Sequence, residues 1–424
     1  MTPVTSGVRG LRVRNRVLPG VAAAAVCIGG VSGTANAAEP VSDPQARQWY
    51  LDAMHVDEIW KRSTGAGITV AVVDGGVNPS TSSLKGQVLP GKDFSGVEGD
   101  ETDDMDGHGT SMAELIAGTG KGGGLQGLAP GAKIIPYRVA DRVAEKRYGK
   151  VNTEGLAQAV QAAAGSDAQI INVSMGSEYV DDDLLEAIKG ARAKGKLVFA
   201  SNGNEAKKGN KPSYPAYYRE TVAVAATNSE GRVADFSTHS DRTDIAAPGA
   251  DMPGWCDGSL TQYCIRQGTS ASSALASATA ALIWSKHPDW TGNQVLRVMF
   301  ESAGRGENWK PGSISKYVGH GVVRPNAHLT RGLGKPGDPD VSPDTGERVG
   351  GKPAAATPKP SEGSAEKPES GSPSDKPALA GSTGTAQTAD AGDSDTGYLI
   401  GGAVAAVALL GGAGLFVARR RRNT

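Results

Sequence analysis

Ile68-Thr69-Val70-Ala71-Val72-Val73-Asp74-Gly75-Gly76-Val77 is the stretch from which the fold is read. Apolar residues run without alternation into an aspartate and two glycines. A half-exposed strand alternates apolar with polar residues. A continuous apolar run ended by turn residues fits a strand buried on both faces, as in a parallel sheet. Comparable runs follow at Ile134-Ile135, Ile170-Ile171-Asn172-Val173, Leu197-Val198-Phe199-Ala200 and Val222-Ala223-Val224-Ala225. Helical patterns lie between them. One runs from Thr110 to Ala117, and another from Thr153 to Ala164 with Asn152 or Thr153 placed to cap it. A third, Asp183 to Lys194, is acidic at its start and basic at its end, as the helix dipole favours. A long alanine-rich pattern spans Ser270 to Lys286. Alternating strands and helices argue for an α/β fold in three layers, with a mostly parallel sheet covered on both faces. The domain is expected over residues 67–330. A short extension, 38–66, precedes it, where Val56, Ile59 and Trp60 have the spacing of one small packed helix.

The two ends read differently. Arg9, Arg12, Arg14 and Arg16 precede an apolar stretch from Val17 to about Val31, and Ala35-Asn36-Ala37 then offers small residues. This is the pattern of a signal peptide over 1–37, cleaved after Ala37; the stretch is too short and glycine-rich to favour a retained anchor. From 331 to 397 the chain is rich in Pro, Gly, Ser, Ala, Glu, Lys and Thr. It lacks the apolar residues needed to offset ordering entropy, so a disordered linker is expected. Residues 398–418 carry no charge and as a helix would span about 31 Å, enough for a hydrocarbon core. Arg419 to Arg422 follow, so the tail, 419–424, is expected inside and the main domain outside, on a single-pass protein of the cell membrane. A wall-sorting signal is the rival for this end, but no Leu-Pro-x-Thr-Gly motif precedes the apolar stretch.

The net charge of −1 gives no support to a nucleic-acid role. No Cys/His cluster has metal-site spacing, and no cofactor or metal is expected. Cys27 falls in the signal. Cys256 and Cys264 remain, and in an exported protein a local disulfide is the favoured reading over two buried free thiols.

Three short motifs carry chemistry. Asp74 ends a buried strand. His108 lies in Asp106-Gly107-His108-Gly109-Thr110, at the start of a helical pattern. Ser270 lies in Gly268-Thr269-Ser270-Ala271-Ser272, at the head of the alanine-rich helix. A serine hydroxyl needs a base to become a nucleophile at neutral pH. His108 can take its proton, and Asp74 can fix the imidazole tautomer. Each motif alone is more often a turn, a loop or a helix cap. Their order, Asp then His then Ser, is one of the known orders of convergent serine triads. In Phe199-Ala200-Ser201-Asn202-Gly203-Asn204-Glu205 a fourth residue, Asn204, is placed to donate to an oxyanion. A histidine base of ordinary pKa would give activity that falls below pH 6 to 7.

Residues 48–328 resemble the subtilase family of serine peptidases. Ala129-Pro130-Gly131-Ala132, Ile171-Asn172-Val173-Ser174-Met175-Gly176, Tyr214-Pro215-Ala216 and Ala247-Pro248-Gly249 are similar to segments of that family. Within it the chain is most similar to the mycosins, membrane-anchored subtilases of type VII secretion systems. The resemblance implies a subtilisin-like fold and a protein or peptide substrate, with Ser174, Met175, Gly176, Gly203 and Ser213 bordering the specificity pocket. It also implies contact with secretion-system membrane components, as a peptidase or as a structural component whose catalysis is dispensable. Three positions depart from the pattern. Gly75 stands where Ser or Thr is usual, Ala271 where Met or Phe is common, and Ala274 where Pro is common. The acidic run Asp100, Glu101, Asp103, Asp104 and Asp106 is read as a solvated loop rather than a metal site. No motif surrounds His55, His239, His287, His320 or His328, and surface or packing roles are their default.

Overall fold

The computed structural model describes residues 40–349, apart from 150, 151, 153, 307, 308 and 311. Its main sheet contains β2 (Thr69–Asp74), β3 (Lys92–Asp93), β4 (Lys133–Arg138), β5 (Ile170–Val173), β6 (Leu197–Ser201), β7 (Val222–Thr227) and β8 (Ile245–Pro248). Their order is β3-β4-β2-β5-β6-β7-β8, and every pairing is parallel. The apolar runs are buried on both faces. Along β2, Val70 and Val72 face one apolar layer while Ala71 and Val73 face the other. The first layer holds α3 (His108–Ala117), α7 (Thr269–Lys286) and α8 (Gly292–Ser302). The second holds α5 (Gly155–Ala164) and α6 (Asp182–Ala193). The expected three-layer arrangement is therefore present. The four helices expected from periodicity lie within a residue or two of their observed bounds. Two further helices, α4 (Arg142–Tyr148) and α9 (Pro325–Arg331), lie outside those expectations, as does α8, which opens on a capping box between Thr291 and Gln294.

Burial almost all round explains the composition of α7. A helix enclosed by a sheet and other helices has no polar face, and small residues let its neighbours approach. Its hydroxyls find partners inside the protein. Ser273 and Ser277 donate to Asn172 Oδ1 at 2.7 and 3.1 Å, and Ser272 donates to Pro248 O at 3.2 Å.

A small antiparallel sheet, β1 (Pro40–Val41), β10 (Tyr263–Arg266) and β9 (Met252–Trp255), lies beside α3. The helix expected from Val56, Ile59 and Trp60 is α2 (Val56–Trp60), and a further short helix, α1 (Trp49–Met54), precedes it. His55, left-handed at φ 59°, separates the two. Tyr50, Met54, Val56 and Ile59 are buried in the core, so this segment is part of the domain.

The expected start of the linker at 331 is too early. Residues 331–349 pack against the domain through polar contacts. Arg192 of α6 and Asp344 are both buried and pair at 3.0 Å. Arg297 of α8 donates to Pro336 O, Asp338 O and Val341 O. Composition suggested disorder because it registers missing apolar residues, whereas this segment is fixed by hydrogen bonds to two arginines. The expected signal peptide at 1–37, the linker from 350, the membrane span at 398–418 and the tail lie outside the described residues. Among the described residues no helix is long and apolar enough to cross a membrane.

Candidate active site

Asp74 closes β2 with its carboxylate buried, and its Oδ1 accepts from Gly75 N at 2.8 Å. His108 opens α3 against it. The glycines on either side of His108 answer to close contacts. A Cβ on Gly109 would lie 2.1 Å from Gly76 O. Gly107, left-handed at φ 74°, has Trp255 Cβ 2.8 Å from the same point on its own residue. Part of the acidic run is structural rather than solvated. Asp104 is buried and accepts from Gly107 N at 3.0 Å and Thr110 N at 2.7 Å, while Asp106 Oδ1 accepts from His108 N at 2.9 Å. The helix start that carries the imidazole is thus held by two carboxylates.

Nδ1 of His108 lies 2.8 and 3.0 Å from the two Asp74 oxygens. A proton on Nδ1 leaves Nε2 of the neutral ring as a free acceptor. Burial pulls the imidazole pKa down. The carboxylates of Asp74, Asp106 and Asp104 outweigh that, and the value is pushed up to about 9.

Ser270 is the second residue of α7, and its hydroxyl donates to Ser174 O at 3.0 Å. The start of α7 and the end of β5 are clamped together there. Ser174 Oγ donates to Ser270 O at 3.2 Å and accepts from Asn172 Nδ2 at 2.8 Å, and Asn172 in turn holds the hydroxyls of Ser273 and Ser277. Asn204 follows β6. Its Oδ1 accepts from Thr269 N at 2.9 Å and Thr269 Oγ1 at 3.1 Å, which fixes the amide orientation. Its Nδ2 makes no hydrogen bond among the described residues.

All four side chains line one cavity of about 1080 Å³, together with Ser174, Met175, Gly176, Gly203 and Ser213. A Cβ on Gly176 would meet Ser213 Oγ at 2.4 Å, and one on Gly203 would meet Ser213 Cβ at 3.1 Å, so glycine at both positions lets the 213 loop close on the cleft. Sequence similarity and this geometry meet on the same residues: the subtilase family profile matches residues 65–321.

The chain belongs to the subtilase family.

It is a subtilisin-type serine endopeptidase. Thermitase of Thermoactinomyces vulgaris is 31% identical over 286 residues, which is 65% of this chain and 97% of that one. Subtilisin E of Bacillus subtilis is 32% identical over 234 residues, 55% of this chain and 59% of that relative, so this chain matches only part of its length. Among solved structures, the subtilase is similar to MycP3 protease from the type VII (ESX-3) secretion system, with TM-score 0.59 and 30% identity over 69% of this chain and 91% of that one. MycP1 from Mycobacterium smegmatis gives TM-score 0.57 and 28% identity over 69% and 88%.

Cys256 and Cys264 of the subtilase form a disulfide, with their Cα atoms 5.0 Å apart. It closes the β9–β10 hairpin that supports α3, where Trp255 N donates to Ser111 Oγ at 2.8 Å. Among the described residues no group of three or more His, Cys, Asp or Glu side chains is placed to hold a metal ion. Sequence reasoning missed several residues of the cavity, including Asp141, Glu145, Tyr179 and Val180. The signal that singled out Asp74, an aspartate just beyond a buried strand, also describes Asp141 beyond β4. Tyr179 and Val180 are exposed on the loop after β5 and carry no motif.

Proposed function

We propose that this subtilase cleaves peptide bonds of secreted or envelope-associated proteins through Ser270, with His108 as general base, Asp74 orienting it and Asn204 stabilising the oxyanion. The observation that carries the reading is the imidazole held by both Asp74 oxygens in the cavity that Ser270 and Asn204 share. For this step the Ser270 hydroxyl must leave Ser174 O and turn to His108 Nε2. Attack on the substrate carbonyl passes the hydroxyl proton to Nε2, and the carbonyl electron pair moves onto oxygen. In this reading Asn204 Nδ2 and the backbone N–H of Ser270 receive that oxyanion. Collapse returns the proton to the departing amine and leaves an acyl-Ser270 ester. Water, deprotonated by His108, then releases the acid and restores Ser270. No cofactor takes part in these steps. Ser174, Met175, Gly176, Gly203 and Ser213 form the wall that receives the side chain before the cleaved bond.

In this reading the catalytic domain faces the cell exterior at the membrane, exported by residues 1–37 and tethered by residues 398–418, and it works beside the membrane components of a type VII secretion system. The layout of the sequence and the likeness to MycP1 and MycP3 support that setting. One solved relative is described as "an essential component of the type VII (ESX-1) secretion system", which favours a second reading in which this chain has a structural role independent of catalysis. A Ser270→Ala strain compared with a deletion strain separates the two. Loss of proteolysis and of secretion in both strains supports the catalytic role. Secretion retained in Ser270→Ala but lost in the deletion assigns the structural one.

A further inference from the structure

β5 is apolar at Ile170, Ile171 and Val173, yet Asn172 sits among them with no exposed surface. An amide in such a place is costly unless its donors and acceptors are met. Here every partner leads towards the nucleophile. Oδ1 accepts from Ser273 and Ser277 of α7, and Nδ2 donates to Ser174 Oγ at 2.8 Å. The Ser174 hydroxyl has a single proton. Its oxygen accepts from Asn172, so that proton is left for Ser270 O, 3.2 Å away. An oxygen in place of Nδ2 would draw the proton away from Ser270 O.

Residues 174 and 270 therefore exchange two hydrogen bonds. Ser174 Oγ donates to Ser270 O, and Ser270 Oγ donates to Ser174 O at 3.0 Å. Only the first survives the reaction. Once the Ser270 hydroxyl turns to His108, the bond from Ser174 Oγ to Ser270 O is the one direct hydrogen bond left between Ser270 and the end of β5 among those described. The contacts of the neighbouring Thr269 run to Gly203 and Asn204, beyond β6.

On the reading that Ser270 is the nucleophile, we propose that Asn172 is a positioning residue for it. Asn172 is enclosed and does not line the cavity, so it acts through Ser174. It sets the direction of the Ser174 hydroxyl. That hydroxyl in turn holds the Ser270 backbone against β5 while the side chain is turned to His108. A nucleophile that must stand about 3–3.5 Å from a carbonyl tolerates little slack, and a misplacement of about 1 Å costs about a hundredfold in rate.

The test is a double-mutant cycle in the full chain. Its readouts are kcat and KM for a fluorogenic peptide and the rate at which a phosphonate labels Ser270. Asn172→Asp keeps the shape but, ionised, takes the Ser174 proton for itself. Ser174→Ala removes the hydroxyl and keeps the carbonyl. Each should lower kcat and labelling about tenfold, with KM for Asn172→Asp within about twofold of the unaltered chain. Both act through one bond, so the double variant should also be about tenfold down rather than about a hundredfold. Ser174→Thr retains the hydroxyl and should recover most of the loss. Ser272→Ala is the control for α7. That hydroxyl is as deeply buried but donates to Pro248 O, so its loss should lower stability in urea and leave kcat unchanged. If circular dichroism shows Asn172→Asp unfolded, Ser273→Ala combined with Ser277→Ala replaces it in the cycle, since without those hydroxyls the amide is free to turn. Additive losses, a rise in KM in place of the fall in kcat, or a kcat unchanged by Asn172→Asp or its replacement overturn the proposal, while phosphonate labelling of Ser270 in the unaltered chain leaves the peptidase reading standing. Absence of both labelling and cleavage in the unaltered chain overturns the reading beneath it.

Discussion

The environment of His108 gives the sharpest prediction, because it moves the working pH away from the value a free histidine would set. Only the neutral ring can accept the Ser270 proton. The carboxylates around His108 push its pKa up to about 9. At pH 7 a group of that pKa is neutral about 1% of the time, against roughly three-quarters for an unperturbed imidazole. kcat/KM for a peptide should therefore rise about tenfold per pH unit from neutrality and level off near pH 9, as a single-proton limb. Asp106→Asn tests the cause. The amide oxygen still accepts from His108 N, so the helix start is kept while one charge is lost. A like-sized neutral group should lower the limb by about half a unit to one unit and raise kcat/KM at pH 7 about three- to tenfold. The assay is cleavage of a fluorogenic peptide from pH 5 to 10. A midpoint at or below 6.5, or one unmoved by Asp106→Asn, refutes the electrostatic account.

If Asn204 Nδ2 donates to the oxyanion as proposed, Asn204→Ala should lower kcat about a hundredfold or more with little change in KM; steady-state kinetics will show the split. Asp344→Ala leaves the Arg192 guanidinium buried without its partner and should cost about 3–5 kcal/mol in denaturant unfolding, and truncation before residue 331 should cost at least as much. Glu114, buried in α3 where Ser83 and Tyr263 donate to it, has its pKa pushed by burial up to about 7. A carboxyl raised above its unfolded value contributes stability below about pH 4.5 that is lost as pH rises through 7. Glu114→Gln should therefore flatten the decline in stability between pH 5 and 8 and raise stability at pH 8 by about 3 kcal/mol, measured by urea unfolding across that range.

Much of the fold was legible because parallel strands buried on both faces must be continuously apolar, and because α7, enclosed on every side, must be built from small residues. The three residues of the proposed triad share a related feature. Each sits where an element begins or ends, and the glycines around His108 are imposed by backbone contacts as close as that of Gly109 with Gly76. The polar contacts were not legible. Nothing in the composition of residues 331–349 shows that Arg192 and Arg297 will hold them, and nothing local to Asp104 separates it from its acidic neighbours. The chain order Asp74, His108, Ser270 fixes which chemistry is possible. The proton affinity of His108 and the charge of the cleft depend on carboxylates from Asp74, Asp104, Asp106 and Asp141, far apart along the chain in part. Electrostatic energy depends on distance and burial in three dimensions, so only the tertiary structure decides it.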